Sequence, residues 1–150
     1  MRVALASDHA GYPLKESLRE SLKPTGCILQ DFGTFSREPV DYPDIACRVA
    51  EAVASGEYDF GVLVCGTGIG MSIAANKIPG IRAAACSDTY SARMARAHNN
   101  ANILCLGSRV VGEGLAYDIA MVFLATSFES HSRHEKRVEK IAALERRMRT

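Results

Sequence analysis

The chain has 150 residues, of which 47% are hydrophobic and 23% are charged, with 18 Lys and Arg against 17 Asp and Glu. This length fits one domain over residues 1–150, and the balanced charge excludes an acidic disordered chain and a general polyanion binder. Only 7% of the residues are aromatic and none is Trp, which argues against a stacking platform for nucleic acid.

The cysteines and the apolar runs indicate the cellular compartment. Five cysteines is an odd number and no two form a C-x-x-C pair, so a disulfide framework and a structural zinc site are both disfavoured. The first apolar run, residues 3–6, is too short for a signal peptide, and no later stretch has the length that a bilayer requires. We therefore expect a cytoplasmic protein that holds no metal and does not associate with membranes.

Short apolar runs alternate along the chain with longer amphipathic segments. The runs predict five strands, at residues 3–6, 27–29, 61–65, 82–86 and 103–106. Six helices are predicted. The first begins at Pro13, with Leu14, Leu18 and Leu22 on one face, and the second runs from Pro43 to about residue 55. The other four lie at 71–77, at 89–97, around Leu115, Ile119 and Val122, and from Arg133 onward. An S-x-x-E capping box, Ser132 to Glu135, marks the start of the last helix. This alternation predicts an α/β fold of the Rossmann-like, doubly wound type, with a mainly parallel five-stranded sheet and helices on both faces.

Polar residues gather where the predicted strands end. In open parallel sheets, ligands bind beyond the carboxyl ends of the strands. The segments there are Ser7-Asp8-His9, residues 31–34, residues 66–70, Ser87-Asp88 and Gly107-Ser108-Arg109. We therefore expect the functional site at this edge of the sheet.

The most informative motif is Cys65-Gly66-Thr67-Gly68-Ile69-Gly70, which follows the third predicted strand. Its three alternate glycines let the backbone approach a ligand and turn N–H groups toward it, and the positive end of the next helix adds to this anion-binding character. The segment could hold a phosphate, or it could stabilise an oxyanion that forms during a reaction. It is a poor dinucleotide fingerprint, because Met71 stands where the third small residue belongs.

Cys65 lies at the mouth of this segment. A thiol at a helix start can be deprotonated and act as a base or a nucleophile, but a cysteine is also often a small buried residue. Position alone leaves these two interpretations equally open. The other four cysteines, at positions 27, 47, 86 and 105, are expected to be structural, since most fall in predicted strands at about the spacing of one strand–helix unit.

Two histidines fall at positions of interest. His9 follows Asp8 at the end of the first strand, which favours ligand binding. His98 and the two asparagines after it lie between a helix and a strand, where His and Asn are favourable simply as helix C-terminal residues. From the residues alone, a catalytic role for His98 is no better supported than this structural role.

Arg133 and Arg137 are four residues apart on the last predicted helix and therefore share a face. The same helix carries an apolar stripe, formed by Val138, Ile141, Leu144 and Met148. The two arginines lie at the edge of the stripe and within it. We expect the stripe to be buried and the arginines to form a paired anion site there, which also argues against a free basic arm for nucleic acid.

These motifs, in this order, resemble the LacAB-type sugar-phosphate isomerases, the family of ribose-5-phosphate isomerase B, over essentially the whole chain. The resemblance rests on residues 7–11, Asp41-Tyr42-Pro43, residues 65–70 with Ala74-Ala75-Asn76-Lys77, Gly80-Ile81-Arg82-Ala83, residues 98–102, Gly107-Ser108-Arg109, and Arg133-His134 with Arg137-Val138. It implies a Rossmann-like fold, a homodimer or a dimer of such dimers with shared active sites, and no metal or organic cofactor. It also implies interconversion of ribose 5-phosphate and ribulose 5-phosphate, a reaction of the pentose phosphate pathway, through an enediolate.

Site roles follow from the resemblance position by position. Cys65 resembles the base that moves a proton between C2 and C1, with Thr67 assisting. The backbone N–H groups of Gly66, Thr67, Gly68, Ile69 and Gly70 resemble the hole for the enediolate. His98 resembles the residue that opens the furanose ring, with Asn99 beside it, and Asp8 and His9 resemble substrate-binding residues. Arg109, Arg133 and Arg137 resemble a phosphate clamp.

One position departs from part of the family. Some members use a Glu as base where this chain has Met71, and a methionine cannot take up a proton, so Cys65 is the only candidate base. Two alternatives stay open: an isomerase of a hexose 6-phosphate such as allose or galactose 6-phosphate, and a non-catalytic module that binds a nucleotide or phosphosugar. Galactose 6-phosphate isomerase divides its site between two unlike subunits, so a complete set of residues on one chain favours the pentose.

The topology separates two of these residues. Cys65 ends a strand and lies at the carboxyl edge of the predicted sheet, whereas His98 precedes a strand and lies at the amino edge. A strand of five residues separates those edges by about 16 Å. We therefore expect a second copy of the chain to supply His98 across a twofold interface, with the C-terminal helix at that interface.

Overall fold

The computed structural model describes residues 1–148, which form one parallel sheet flanked by helices. The strands are β1 (Arg2–Ser7), β2 (Ile28–Asp31), β3 (Phe60–Cys65), β4 (Ala83–Ala85) and β5 (Ile103–Gly107). The helices are α1 (Tyr12–Leu22), α2 (Tyr42–Ala54), α3 (Ile69–Ala75), α4 (Thr89–Ala97), α5 (Glu113–Ala125) and α6 (Arg133–Arg147), with a short 3₁₀ turn, Lys23–Thr25, after α1. The predicted α/β architecture is confirmed.

The strand order creates a crevice at one edge of the sheet. All neighbouring strands are parallel, in the order β2-β1-β3-β5-β4, so the chain leaves β1 on one side and returns on the other. The loops after β1 and β3 therefore diverge at a topological switch point, where open α/β sheets bind ligands. The register pairs Ser7 with Val64 and Cys65 with Gly107, which brings the ends of β1, β3 and β5 together.

Alternate strand residues pack into two cores, one on each face of the sheet. Val3 and Leu5 of β1 contribute to the core that α1, α4 and α5 cover. Ala4 and Ala6 contribute to the opposite core, which α2 and α3 cover. Because both faces are covered, β3 is apolar along its whole length instead of alternating with polar residues.

Several element bounds differ from the sequence-based prediction. α3 begins at Ile69, two residues earlier than predicted, because Gly68 adopts φ +78° and forms its N-cap. β2 begins only at Ile28, since Cys27 belongs to the turn after α1, where its Sγ lies 3.1 Å from Thr25 Oγ1. β4 is three residues long and excludes Cys86. Two of the four cysteines assigned to strands therefore lie outside them.

The core-facing side of α5 does not include every apolar residue that marks this helix in the sequence. Leu115 is 42% exposed, although its neighbour Ala116 is fully buried. The core-facing side chains are Ala116, Ile119, Ala120, Phe123 and Leu124. α5 is apolar on most of its surface, so a pattern of large residues alone could not show which face packs on the sheet.

α6 begins at Arg133 as predicted. Ser132 and Glu135 cap it, but each accepts a hydrogen bond from an N–H one residue earlier than in the standard capping box. Ser132 Oγ accepts a hydrogen bond from the His134 N–H at 3.1 Å, and Glu135 Oε2 accepts one from the His131 N–H at 2.8 Å. No helix in residues 1–148 is long and apolar enough to span a membrane.

The apolar stripe of α6 is not buried within the single chain, and its burial at an interface between two copies stays a prediction. Ile141 is 48% exposed and Leu144 is 58% exposed. The helix contacts the rest of the chain near its two ends, through His134 at the start and through Glu145, whose carboxylate accepts the Gly80 N–H at 3.1 Å. The stripe between these contacts is available to another surface.

Candidate active site

The glycine-rich segment after β3 forms a compact turn around the Cys65 sulfur. Sγ accepts a hydrogen bond from the Gly68 N–H at 3.2 Å, and the Ile69 N–H donates to Thr67 Oγ1 at 3.3 Å. Within residues 1–148, the N–H groups of Thr67 and Gly70 donate to no protein acceptor. A buried thiol and unused backbone donors thus lie within one turn of chain, as the sequence predicted for an anion or oxyanion site.

Close backbone packing holds this turn in place. A Cβ on Gly107 would lie 2.7 Å from the carbonyl carbon of Thr67, so the loop after β5 and the turn after β3 touch through their backbones. The Ser108 N–H donates to the Cys65 carbonyl oxygen at 2.8 Å and fixes the same junction. A Cβ on Gly70 would lie 2.7 Å from Cζ of Tyr42, whose ring covers the turn.

The end of β1 supplies a carboxylate and an imidazole. Asp8 is buried, and its Oδ1 accepts the Gly11 N–H at 2.9 Å, so part of its role is to hold the loop. His9 Nδ1 accepts the Val40 N–H at 3.2 Å. That nitrogen therefore carries no proton in the neutral ring, which presents an Nε2–H donor to any ligand.

Arg109, at the end of β5, places a cation beside the glycine-rich turn. Its Nη1 lies 3.4 Å, and its Cδ 3.7 Å, from the position that a Cβ on Gly66 would occupy. The side chain is exposed, and its guanidinium makes no ion pair within the described part of the chain. Of the three arginines assigned to the phosphate clamp, this one lies at the same edge as Cys65.

Burial raises the pKa of three of the remaining cysteines, Cys47, Cys86 and Cys105. Burial raises the pKa of the Cys86 thiol to about 11, and it raises the pKa of Cys105 well above its ordinary value. All five cysteines are free thiols. The structural interpretation of Cys86 and Cys105 fits these surroundings.

The amino edge of the sheet carries a second group of predicted site residues. His98 is the C-cap of α4, and Asn100 adopts a left-handed conformation at φ 48°. The buried guanidinium of Arg96 fixes this loop by donating to Asn100 Oδ1 at 2.9 Å and to the Ala101 carbonyl oxygen at 2.6 Å. The helix-end geometry expected of this segment is therefore present, and it leaves His98 and Asn99 on the outside of the loop.

His98 stacks on His134 from the first turn of α6. The ring centroids are 3.8 Å apart and the planes differ by 3°. Glu129 places one carboxylate oxygen 3.8 Å from His98 Nε2 and the other 3.9 Å from His134 Nε2. In the described residues this is the one group of three side chains whose ligand atoms are close enough for a metal ion. The in-plane lone pairs of two parallel rings cannot converge on one ion, so this arrangement does not form a metal site.

Arg133 and Arg137 lie close to this histidine pair. Both are exposed on α6, and both contribute, after burial and His98, to a lowered pKa of His134. The structure therefore places Arg133, Arg137, His98 and Asn99 on one side of the molecule. Cys65, Thr67, Asp8, His9 and Arg109 lie on the other.

The strand register gives the separation between the two groups. Gly61 pairs with Ile103 and Cys65 pairs with Gly107, so four residue steps, or about 13 Å, separate the two edges along β3 and β5. His98 precedes β5 by several further residues. One chain thus does not bring His98 to Cys65, as the topological argument predicted.

A groove of about 760 Å³ runs beneath α6. Ile81, Asn99, Val138 and Ile141 are among its lining residues. The predicted substrate-binding residue Asn99 and the exposed apolar stripe therefore share one surface.

Sequence reasoning missed three residues that shape these two groups. Tyr42 covers the glycine-rich turn, Arg96 fixes the loop of His98, and His134 stacks on His98. No local pattern marks Arg96 as the residue that fixes this loop, and the Asp41-Tyr42-Pro43 motif gave no sign that the Tyr42 ring meets the glycine-rich turn. The pair Arg133-His134 was noticed as a motif but gave no sign that the second residue meets His98.

Known proteins resemble this chain in sequence and in fold. The ribose/galactose isomerase family matches residues 3–141. The chain is 49% identical over 146 residues to ribose-5-phosphate isomerase B of Escherichia coli (strain K12), covering 97% of both chains. It is 42% identical over 147 residues to D-erythrulose-4-phosphate isomerase of Pectobacterium atrosepticum, covering 97% of this chain and 95% of that one. Its fold matches Clostridium thermocellum ribose-5-phosphate isomerase B with a TM-score of 0.96, at 53% identity and 99% coverage of both chains.

Proposed function

The chain belongs to the ribose/galactose isomerase family, and on that basis we propose that it interconverts D-ribose 5-phosphate and D-ribulose 5-phosphate. It is an isomerase of the ribose-5-phosphate isomerase B type. The observation that carries the proposal is the Cys65 sulfur, held by the Gly68 N–H at 3.2 Å within a turn of backbone donors at the carboxyl edge of the sheet. A base and oxyanion donors in one crevice are what an aldose–ketose isomerisation needs.

The proton transfers of this reaction balance with Cys65 as the single base. As a thiolate, Cys65 takes the proton from C2, the C2–H electron pair forms the C1–C2 double bond, and O1 becomes an oxyanion. The O2 proton then passes to O1 and the thiol returns its proton to C1, leaving a ketone at C2. Met71 is fully buried in the same core as Cys65 and offers no second base at that position.

The backbone of residues 66–70 stabilises the enediolate. The N–H groups of Thr67 and Gly70 are unused by the protein and face no competition from an internal acceptor. Such preorganised donors are worth about 3 kcal/mol each when they meet a developing oxyanion. Thr67 Oγ1 supports the turn by accepting the Ile69 N–H. Asp8 and His9 bind sugar hydroxyls from the end of β1.

Ring opening and phosphate binding use the residues of the amino edge. His98 donates the proton that the furanose ring oxygen needs as the C1–O4 bond breaks, with Asn99 beside it. Arg133 and Arg137 share a face of α6 near His98 and bind the phosphate oxygens, while Arg109 adds a cation at the carboxyl edge. The phosphate clamp is thus divided between the two edges.

We further propose that the enzyme is a homodimer, or a dimer of such dimers, in which each site combines Cys65 of one subunit with His98 of the other. The two edges are too far apart in one chain for a pentose phosphate to touch both. Exposed apolar side chains lie on both sides: Ile69 and Ile73 on α3, and Ile141 and Leu144 on α6. A twofold axis that pairs these surfaces would bury all four and complete two sites at once.

The compartment and the cofactor requirement also remain proposals. Five free thiols, three of them with pKa values that burial raises, suit a reducing compartment, and we propose a cytoplasmic location. The residues assigned to the reaction supply the base, the acid and the anion donors themselves, so we propose that no metal or organic cofactor takes part.

The substrate is tested by incubating the purified chain with ribose 5-phosphate, allose 6-phosphate and galactose 6-phosphate, without added metal. We expect ketose formation from the pentose, and none above background from a Cys65→Ala preparation purified in the same way. Turnover of a hexose 6-phosphate alone would identify a hexose phosphate isomerase. Saturable binding without any turnover would identify a binding module instead.

A further inference from the structure

The stacked contact between His98 and His134 is built from two independently anchored elements. His98 is held by α4, where its N–H donates to the Met94 carbonyl oxygen at 2.9 Å. His134 is held by the first turn of α6, where its N–H donates to Ser132 Oγ at 3.1 Å. The rings lie 3.8 Å apart and nearly parallel, so one whole face of His98 is covered.

The two rings have different surroundings. The His98 side chain is 33% exposed, and the His134 side chain is 11% exposed. The charged and titratable groups around His134 are His98 from α4, Glu129 from the loop before α6, and Arg133 and Arg137 from α6 itself. Burial, then His98 and Arg133, lowers the pKa of His134 below its ordinary value, although Glu129 acts in the opposite direction.

These surroundings separate the roles of the two rings. Two cationic imidazoles at 3.8 Å would repel each other, which is one reason that the pKa of His134 is lowered. His134 is the more buried ring, so it is the less able of the two to contact a sugar. His98 is the more exposed ring, and a Glu129 oxygen lies 3.8 Å from its Nε2.

We propose that His134 is a positioning residue for ring opening: its ring fixes the plane and direction of the His98 imidazole toward the furanose. This inference rests on the proposed function. His98 gives a proton to O4 as the C1–O4 bond breaks, O1–H loses its proton to water as the aldehyde forms, and His98 regains a proton from water. His134 exchanges no proton with the sugar.

Ring opening has a natural internal control in this reaction. Ribose 5-phosphate exists mainly as a furanose and must be opened. Ribulose 5-phosphate is acyclic, because its C5 hydroxyl is esterified and cannot close a ring on the C2 ketone. A residue that serves only ring opening therefore matters for consumption of the aldose and not for consumption of the ketose.

The experiment compares His134→Ala, His134→Phe and the exposed control His131→Asn with wild type on both substrates. For His134→Ala, the steady-state rate of ribose 5-phosphate consumption should fall about tenfold to a hundredfold, because the variant must wait for the furanose to open in solution, while the initial rate of ribulose 5-phosphate consumption stays within about twofold. His134→Phe keeps a flat ring on His98 and should recover most of the loss. His131→Asn suits the left-handed φ of 58° at that position and should behave as wild type.

A readout that does not depend on activity accompanies the kinetics. Proton NMR of the free enzyme should show His98 ring protons shifted upfield by the neighbouring ring in wild type and in His134→Phe, but not in His134→Ala. Equal losses on both sugars, or no loss when NMR shows that the stack is gone, would overturn the role of His134 alone. Failure of wild type to convert ribose 5-phosphate would refute the proposed function, and this inference with it.

Discussion

The two edges of the sheet carry two halves of the proposed site, and they are constructed differently. At the carboxyl edge the backbone dominates: Gly68 donates to the Cys65 sulfur, and Gly107 packs against the backbone of Thr67. At the amino edge the side chains dominate, with His98, Arg133 and Arg137 presented by α4 and α6. The backbone half tolerates few substitutions, because a Cβ on Gly68, Gly70 or Gly107 would lie 3.0 Å or less from a neighbouring atom. In the side-chain half, a substitution removes the contacts of one residue only.

Removal of the base should have the largest effect. Cys65→Ala should lower kcat on ribose 5-phosphate by roughly 10³-fold or more, because no other group can take the C2 proton. Sugar-phosphate binding and thermal stability should change little. Cys65→Ser should be similarly impaired, since a hydroxyl is far less acidic than a thiol. Steady-state kinetics with calorimetric binding checks this, and near-normal turnover of either variant would eliminate the single-base scheme.

Distortion of the backbone half should have the next largest effect. Gly107→Ala places a Cβ 2.7 Å from the Thr67 carbonyl carbon, so the glycine-rich turn must shift and its N–H groups no longer point at the enediolate oxygens. We expect kcat to fall about 10²-fold. Gly114→Ala, at a helical glycine with no atom within 4 Å of the added Cβ, is the matched control and should leave kcat unchanged. Equal activity of the two variants would show that the turn does not stabilise the enediolate.

Loss of one arginine from the side-chain half should act on binding. Arg137→Ala and Arg133→Ala should each raise KM for ribose 5-phosphate about tenfold to a hundredfold, the value of a charged hydrogen bond. The loss should shrink for a sugar without phosphate. Lys136→Ala, next to Arg137 on the same helix, controls for charge alone. If the phosphorylated and unphosphorylated sugars lose equally, these arginines do not hold the phosphate.

The smallest expected effect is on the pH dependence of stability. The pKa of His134 is lowered in the folded chain, so as pH falls the unfolded chain binds a proton first. The contribution of neutral His134 to the free energy of unfolding is fully present above about pH 6.5, the ordinary pKa of histidine. It is lost as the pH falls through the lower pKa that His134 has in the folded chain. Melting curves from pH 8 to pH 5 should therefore show a smaller decrease in Tm for His134→Phe than for wild type or His131→Asn. An identical decrease would mean that the His134 environment is not as described.

The sequence was sufficient for most of the fold and for the local geometry of the glycine-rich turn after β3. Buried strands such as 61–65 and the glycines after them depend on local chemistry, which a single sequence displays. The opposite half depends on contacts between distant segments, such as His98 with His134 and Arg96 with Thr126. The apolar stripe of α6 is exposed in the single chain and its burial at an interface stays a prediction, because periodicity shows that a face is apolar and not what covers it.

The sharing of each site between two subunits is the central claim, and subunit complementation tests it most directly. Cys65→Ala is mixed with His98→Ala, each of which should be inactive on ribose 5-phosphate, and exchange is verified by mass spectrometry of the native dimers. In an equilibrated mixture half of the dimers are mixed and each has one intact site, so activity should return to about a quarter of the wild-type value. If verified exchange restores no activity, Cys65 and His98 serve the same subunit's site and the shared-site account is wrong.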